Sequence, residues 1–178
     1  GICADHGDCE HAFHIVGDAH HTVLHDNRLH EFNAPVKING SPGPDGGLRT
    51  PDDGRITGNS LYNSDVRSTD RPVTLIDAIA VDRWTVADNL LADFVKGGGD
   101  HVSYGAFFKG AGTGNAFVRN LVICEMHLHP PYGARVGLSF GGGGTGEGTI
   151  GLGNTGLIGK GGGGGDGKDT EPGFGGRG

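Results

Sequence analysis

The sequence has no long apolar run and no cluster of basic residues. No window reaches the roughly 18 to 20 consecutive apolar residues that a transmembrane helix needs, so no membrane span is predicted. Acidic residues outnumber basic ones by 21 to 14, which gives a net charge of −7. Because no stripe of Lys and Arg is present to release counterions from a phosphate backbone, nucleic acid is excluded as the expected partner.

Cysteine is also scarce, but two of the three cysteines are close together. Cys3 and Cys9 bracket a short polar loop that a disulfide would close in an oxidising compartment, and three reduced cysteines are the alternative. Cys124 is then left over. The chain begins at Gly1 with no Met and no charged-then-apolar leader, which indicates either a removed signal peptide or a fragment. We expect a fragment, and the disulfide would favour a secreted protein.

Apolar residues make up only 34% of the chain and thin out after Phe140, where many of the 38 glycines are concentrated. Glycine loses the most backbone entropy on ordering and offers no side chain to bury. The composition therefore predicts a folded part over residues 1–146 and a flexible glycine-rich tail over 147–178. Within this C-terminal region the most order we expect is a short strand over 149–152.

An internal period runs through the folded part. In four segments a short β-prone run leads to an asparagine and then an apolar residue, and these asparagines are 32, 30 and 31 residues apart. They are Asn27, Asn59, Asn89 and Asn120. Asparagine at a turn accepts a left-handed backbone and can bond to the equivalent amide one repeat away, so the sequence predicts a structural asparagine ladder.

A second family of β-prone segments lies between the first, so that each repeat holds at least two strands. These segments begin at Phe13, Val36, Val73, Ala106 and Val136. Short strands separated by Gly, Asn and Asp turns, with few windows that suit a helix, indicate an all-β fold. The spacing predicts a parallel β-helix, a solenoid of stacked strands.

The strings that carry this pattern resemble bacterial right-handed parallel β-helix repeat proteins of the pectate-lyase-like superfamily. They lie at residues 11–17, 32–40, 72–77, 104–112 and 135–146. The resemblance covers the chain to about Gly146 and implies a secreted or cell-envelope protein of bacterial origin. It also implies further rungs after Gly146, so the solenoid is predicted to be truncated where the glycine-rich tail begins.

The same resemblance implies a protein that binds or cleaves acidic polysaccharides on the outer face of one parallel sheet. Lyases of this kind remove the proton next to a uronate carboxylate, with a basic side chain as base and Ca²⁺ to spread the negative charge. When the second strand family is aligned on its closing small residues, Asn39, Asp77 and Lys109 share one column. Lys37 lies on the same face, two residues before Asn39.

We therefore predict a site for an acidic, uronate-containing polysaccharide. Lys37 or Lys109 is the candidate base, and Arg135 would grip a carboxylate through two parallel hydrogen bonds. Asn39 and Asp77 are the candidate substrate-binding residues, and Asp77 is the candidate Ca²⁺ ligand. The alternative interpretation is a surface salt bridge between Lys109 and Asp77, a solvated Lys37 and an ordinary arginine at the edge of a strand.

Other functions stay open at this point. The solenoid is alternatively a non-catalytic surface or adhesin protein, or it associates with other copies through unpaired strands at its ends. His127 and His129 would lie on one face of a strand, which is spacing suited to metal ligands, but no further ligand recurs nearby at the spacing that a zinc site shows.

Overall fold

The fold is an all-β solenoid. The structure, a computed structural model, describes residues 5–110 and 112–140 together with two short strands at 150–152 and 155–157. These described residues form strands and turns without any helix. The predicted fold class is confirmed, because parallel sheets stack into a β-solenoid of about four turns.

Three five-stranded parallel sheets run along the solenoid. Sheet A contains β1 (Phe13–Val16), β4 (Val36–Asn39), β9 (Val73–Ile79), β12 (Val102–Lys109) and β15 (Ala134–Phe140). Sheet B contains β2 (Val23–His25), β7 (Arg55–Thr57), β10 (Thr85–Ala87), β13 (Ala116–Val118) and β16 (Ile150–Leu152). Sheet C contains β3 (Arg28–His30), β8 (Ser60–Tyr62), β11 (Leu90–Ala92), β14 (Leu121–Ile123) and β17 (Thr155–Leu157). An antiparallel hairpin, β5 (Ser41–Pro42) and β6 (Leu48–Arg49), projects after β4.

The asparagine ladder predicted from the period is present at the turn between sheets B and C. Each side-chain amide donates to the amide oxygen one rung on, from Asn27 to Asn59 at 3.0 Å, Asn59 to Asn89 at 3.0 Å and Asn89 to Asn120 at 2.9 Å. The backbone conformation was predicted wrongly. The left-handed residue is the one before each asparagine, as at Asp26 with φ 54° and Asp88 with φ 58°.

Large apolar side chains fill the interior between the three sheets. Trp84 and Phe94 are fully buried, and Phe108 packs edge-on against Phe117 with ring centroids 5.0 Å apart. The Trp84 indole donates to the carbonyl of Pro51 at 2.6 Å, which satisfies its one polar group. Because each rung supplies only short strands, the core is a narrow column whose stability depends on contacts between rungs.

Ion pairs between neighbouring rungs line the turns that flank sheet B. Arg83 donates two hydrogen bonds to Asp53, at 2.6 and 2.8 Å, and Arg119 donates two to Asp88, at 2.8 and 2.7 Å. These bonds hold the pKa of each carboxyl below its ordinary value of 3.8. The turns therefore carry paired charges along the solenoid axis.

Acid is expected to weaken these turns. A carboxyl whose pKa is lowered by folding stabilises the fold above its unfolded pKa, and that stabilisation is lost as the pH falls through the folded pKa. We expect the urea midpoint to hold steady at neutral pH and to drop below about pH 4. Urea titrations at stepwise pH measure this, and the Asp53→Asn/Asp88→Asn variant should show a shallower drop. An equally steep drop in that variant would contradict the assignment.

The cysteines and the C-terminal strands were also the subject of predictions. Cys9 takes part in a disulfide, whereas Cys124 is a buried thiol whose sulfur lies 3.8 Å from the carbonyl oxygen of Arg135. Cys3 and the predicted boundary between residues 146 and 147 lie outside the described residues. The strand expected over 149–152 corresponds to β16, and the sequence did not predict β17, which follows it.

Candidate functional site

The candidate site lies on the outer face of sheet A. In β4 the side chains of Val36 and Ile38 are fully buried, whereas Lys37 and Asn39 between and beyond them are partly exposed. This alternation follows from the pleat of a strand, which turns successive side chains to opposite faces. Lys37 and Asn39 therefore lie on the outside of the solenoid, as predicted.

The strand register places one residue from each strand of sheet A in a single outer column. Cα pairing runs from His14 to Lys37, from Lys37 to Asp77, from Asp77 to Phe107 and from Phe107 to Ser139. Neighbouring strands in a sheet are about 4.8 Å apart. The column therefore brings imidazole, ammonium, carboxylate, phenyl and hydroxyl groups together in a row.

This register corrects the predicted column of Asn39, Asp77 and Lys109. Asp77 pairs with Lys37, while Lys109 pairs with Ile79, two residues further along β9. The prediction failed because it took Ala78 as the small residue that closes β9, whereas β9 continues to Ile79 and Ala80 is the residue level with Gly110.

The long lysine side chains nevertheless bring the predicted charges together. Asp77 lies between two ammonium groups, with Lys37 Nζ 2.5 Å from Oδ2 and Lys109 Nζ 3.6 Å from Oδ1. We call these three residues the lysine clamp. The side chain of Asp77 is only 8% exposed, against 18% for Lys37 and 31% for Lys109. Asp77 therefore lies beneath the two lysines. The predicted position, in which its side chain faces solvent, is wrong.

Aromatic side chains border the clamp on the side of β12. Lys109 Nζ lies 4.7 Å from the centre of the Phe107 ring, a cation–π contact, and Tyr104 meets the same ring edge-on at 4.9 Å. Burial and the negative charge of Asp100 raise the pKa of Tyr104, so its hydroxyl stays neutral. Sequence reasoning missed both aromatic residues, and the signal that identifies Phe107 is its register opposite Asp77.

On the other side of the clamp, polar groups of the first rungs are connected. His14 Nε2 lies 2.9 Å from the side-chain oxygen of Asn39, whose amide nitrogen donates to the carbonyl of Gly40 at 2.8 Å. The ring of His11 contacts that of His14, with centroids 5.2 Å apart. Asn39 is thus held beside the clamp by hydrogen bonds, although it does not touch Asp77 in the register.

Arg135 is not part of this group. It pairs with Ser103 in the register and precedes Ser139, the column residue of its strand, by four positions, or about 13 Å of extended chain. Its guanidinium bonds to the carboxylate of Glu125 and to the carbonyls of Tyr132, at 2.8 Å, and Pro130, at 3.3 Å. Arg135 ties the turn before β15 to its strand, and these contacts occupy the donors that a substrate carboxylate would need.

The residues of the clamp do not fit a calcium ion. Ca²⁺ takes six to eight oxygen ligands, whereas Asp77 is the one carboxylate here and an ammonium group faces each of its oxygens. No cluster of three or more His, Cys, Asp or Glu side chains suited to a metal occurs among the described residues. His127 lies in a turn rather than on the expected strand, and its Nδ1 contacts Asp93 at 2.9 Å.

No protein-family model, curated protein or solved structure matches the chain. The likeness to pectate-lyase-like β-helices therefore depends on the sequence strings and on the solenoid itself. Among the described residues, no helix is long and apolar enough to cross a membrane.

Proposed function

We propose that the protein binds an acidic polysaccharide along the outer face of sheet A. The observation that carries this proposal is the lysine clamp, in which Asp77 holds the ammonium groups of Lys37 and Lys109 on a sheet whose outer side chains form a straight row. A carboxylate or sulfate group is the natural ligand of an ammonium group, because charge-assisted hydrogen bonds are about twice as strong as neutral ones.

The clamp keeps hydrogen-bond donors for a ligand. A lysine ammonium has three N–H donors and no acceptor. Lys37 donates to Asp77, and Lys109 makes an ion pair with it while lying against Phe107. Both lysines remain partly exposed, so each retains donors on its solvent side. With one carboxylate between two ammonium groups, the clamp is a local positive charge on a chain whose net charge is −7.

The shape of the face suits a linear ligand. The column from His14 to Ser139 crosses five strands, and four spacings of about 4.8 Å give a row of about 19 Å. Tyr104 and Phe107 place apolar surface beside the charges, which suits the C–H faces of a sugar ring. A polymer lying across the strands would then meet an imidazole, the charged groups of the clamp, an aromatic ring and a hydroxyl in turn.

Binding is favoured over cleavage by the contacts of the lysines. A general base must lie within hydrogen-bond reach of the proton that it removes, with its lone pair directed there. Lys37 Nζ instead donates to Asp77, and Arg135 lies on a separate part of β15. Lyase activity with Lys37 or Lys109 as base, as the resemblance implies, is therefore the second proposal. The absorbance of an unsaturated product tests it in the same samples.

We also propose that the protein is secreted or belongs to the cell envelope. The disulfide at Cys9 supports this location, because disulfides persist in oxidising compartments and are rare in the cytosol of mesophiles. Acidic polysaccharides are accessible to a protein in either location.

The test is binding of a uronate polymer to the Lys37→Ala/Lys109→Ala variant, measured by calorimetry or affinity electrophoresis. We expect the dissociation constant to rise at least tenfold, because each hydrogen bond to a charged group contributes about 1.5–3 kcal/mol and a factor of ten is about 1.4 kcal/mol. The Arg83→Ala/Arg119→Ala variant removes two cations from the turns, and it should bind as the unchanged protein does.

Equal weakening in both variants would indicate attraction by total charge alone and would reject the clamp as the site. Unchanged binding in the lysine variant would reject it as well. If the unchanged protein binds no uronate polymer, the proposed function is wrong and a solenoid with another surface role takes its place.

A further inference from the structure

Buried polar side chains outside the lysine clamp lie in the segment that connects β8 to β9. Arg67 is completely buried, and Asn63 is 1% exposed. Neither Nη1 nor Nη2 of Arg67 has a hydrogen-bond partner in the protein, and neither does the amide nitrogen or oxygen of Asn63. These four buried polar atoms belong to two residues four positions apart.

Hydrogen bonds hold the backbone of Arg67 in place, and they fix the direction in which its side chain enters the interior. Its N–H donates to the carbonyl of Val95 at 2.8 Å, and its carbonyl accepts from Gly97 at 2.8 Å and from Thr69 at 2.9 Å. Within the side chain, Nε donates to Asn33 at 2.9 Å. Burial lowers the pKa of Arg67, and the nearby negative charges of Glu31, Asp65 and Glu10 act in the opposite direction.

Asn63 and Glu31 lie at equivalent positions of neighbouring rungs. His30 and Tyr62 are paired in the strand register, and Glu31 follows His30 as Asn63 follows Tyr62. Glu31 uses its Oε1 to accept from the backbone N–H of Ser64 at 2.9 Å and from its hydroxyl at 2.7 Å. Its Oε2 is 3.8 Å from Nη1 of Arg67. That distance is too long for a direct hydrogen bond and is typical of a pair that a third group can bridge.

Leaving several buried polar atoms unpaired is unfavourable, because each loses its hydrogen bonds to water without a replacement, and the loss is larger for a charged group. We propose that Arg67, Asn63 and Glu31 form an internal binding site for ordered water, which bridges the guanidinium to the asparagine amide. The enclosed atoms include guanidinium and amide donors as well as oxygen acceptors of Asn63 and Glu31. Water satisfies both kinds, since it donates two hydrogen bonds and accepts two.

The charges select water over an anion. The positive charge of Arg67 is balanced by Glu31, and Asp65 and Glu10 add further negative charge nearby. A chloride ion would bind to Arg67 at the cost of repulsion from these carboxylates, in a site where screening by solvent is weak. A neutral ligand carries no such cost.

Arg67 belongs to a hydrogen-bond network between rungs, which we call the hub and which is centred on Asn33. Asn33, which accepts from Arg67, donates through its amide nitrogen to the carbonyl of His6 at 2.6 Å and to the carboxylate of Glu10 at 2.8 Å. Water on the remaining face of Arg67 would extend this network to the turn at Asn63. The hub then joins the N-terminal segment and two rungs through a continuous set of hydrogen bonds.

The test is a high-resolution crystal structure of the full chain from crystals soaked in bromide, combined with water-exchange spectra of the Asn63 amide protons. We expect at least one water within hydrogen-bond distance of Arg67 Nη and of the Asn63 amide, together with cross-peaks that report a long-lived water. Bromide at the position would overturn the proposal in favour of an anion site. A site without density, or direct bonding between Arg67 and Asn63, would overturn it too.

A variant keeps the test independent of crystal quality. The Arg67→Met variant replaces the guanidinium by an unbranched apolar side chain and keeps the Asn63 amide protons as the reporter, so their cross-peaks to the long-lived water should be lost. Persistence of the same signal would show that another group holds the water and would reject this site. The Ser68→Ala variant is the matched control, because it changes the neighbouring residue of the same turn, and it should retain the signal.

Discussion

The Asn89→Ala variant is expected to lose a large part of the stability of the solenoid. Asn89 Oδ1 accepts from the backbone and side-chain N–H groups of Asn59, at 2.9 and 3.0 Å. Its amide nitrogen donates to Ile56 at 2.8 Å and to Asn120 at 2.9 Å. Alanine leaves these partners buried and unpaired, at about 1–3 kcal/mol each, so we expect the free energy of unfolding to fall by at least about 4 kcal/mol. That is a large part of the 5–15 kcal/mol that is typical of a domain.

Urea unfolding followed by the fluorescence of Trp84, the single tryptophan, measures this loss. Asn27→Ala is the matched control. Asn27 is the first residue of the ladder, and its own side-chain contacts, to Asn59 and to the carbonyl of His25, are partly exposed to water. Water replaces such partners, so we expect a loss of only about 1 kcal/mol. Equal losses in the two variants would show that the buried ladder is not the main contact between rungs.

The Gly54→Ala variant is expected to have the second largest effect. A Cβ atom at Gly54 would lie 2.4 Å from the ring of Trp84, closer than carbon atoms approach in proteins. The indole cannot simply move away, because its nitrogen is bonded to Pro51 and its ring is fully buried. Overpacking of a filled core costs about 1–3 kcal/mol and occasionally more. We expect the upper end of that range and a red shift of the tryptophan emission.

Gly46→Ala is the control for this substitution. Gly46 lies in the exposed β5–β6 hairpin with no atom within 4 Å of the added Cβ, so its φ of 77° is the main source of strain. That strain costs about 1–2 kcal/mol. The decisive measurement repeats Gly54→Ala in a Trp84→Leu background, with urea unfolding followed by circular dichroism because no tryptophan is left. The loss of unfolding free energy should shrink there, because the clashing ring is absent. An undiminished loss would show that the clash with Trp84 is not the cause.

The lysine clamp shows how far strand patterns lead towards a site. Alternation predicted correctly that Lys37 lies on the outside of sheet A, since a charged residue between two buried aliphatic residues has one favourable direction. The register of Asp77 was predicted incorrectly, because Ala78 was taken as the small residue that closes β9, and the sequence does not show that Ala80 is the one level with Gly110. Once the register is known, Phe107 and Ser139 join the site without any recognisable motif.

Arg135 shows the opposite case. From its position at the start of β15, Arg135 was predicted to bind a ligand. The turn before that strand folds back instead, and Glu125 and two carbonyl groups accept hydrogen bonds from its guanidinium. Such contacts come from a turn without a period, so the sequence contains no signal for them. The buried state of Asp77 was missed for a related reason, because the side chains that cover it come from strands 40 and 32 residues away.

The sequence by itself determined that the chain is an all-β solenoid with an asparagine ladder. The repeat of about 31 residues places an asparagine at the same turn of each rung, because a buried amide there needs the amide of the next rung as its hydrogen-bond partner. Tertiary structure alone decided which outer side chains meet, since register, side-chain reach and the path of each turn bring residues from different rungs together. The clamp around Asp77 and the burial of Arg67 beside Asn33 and Glu31 both arise at that level, where charge and burial depend on neighbours that are distant in the sequence.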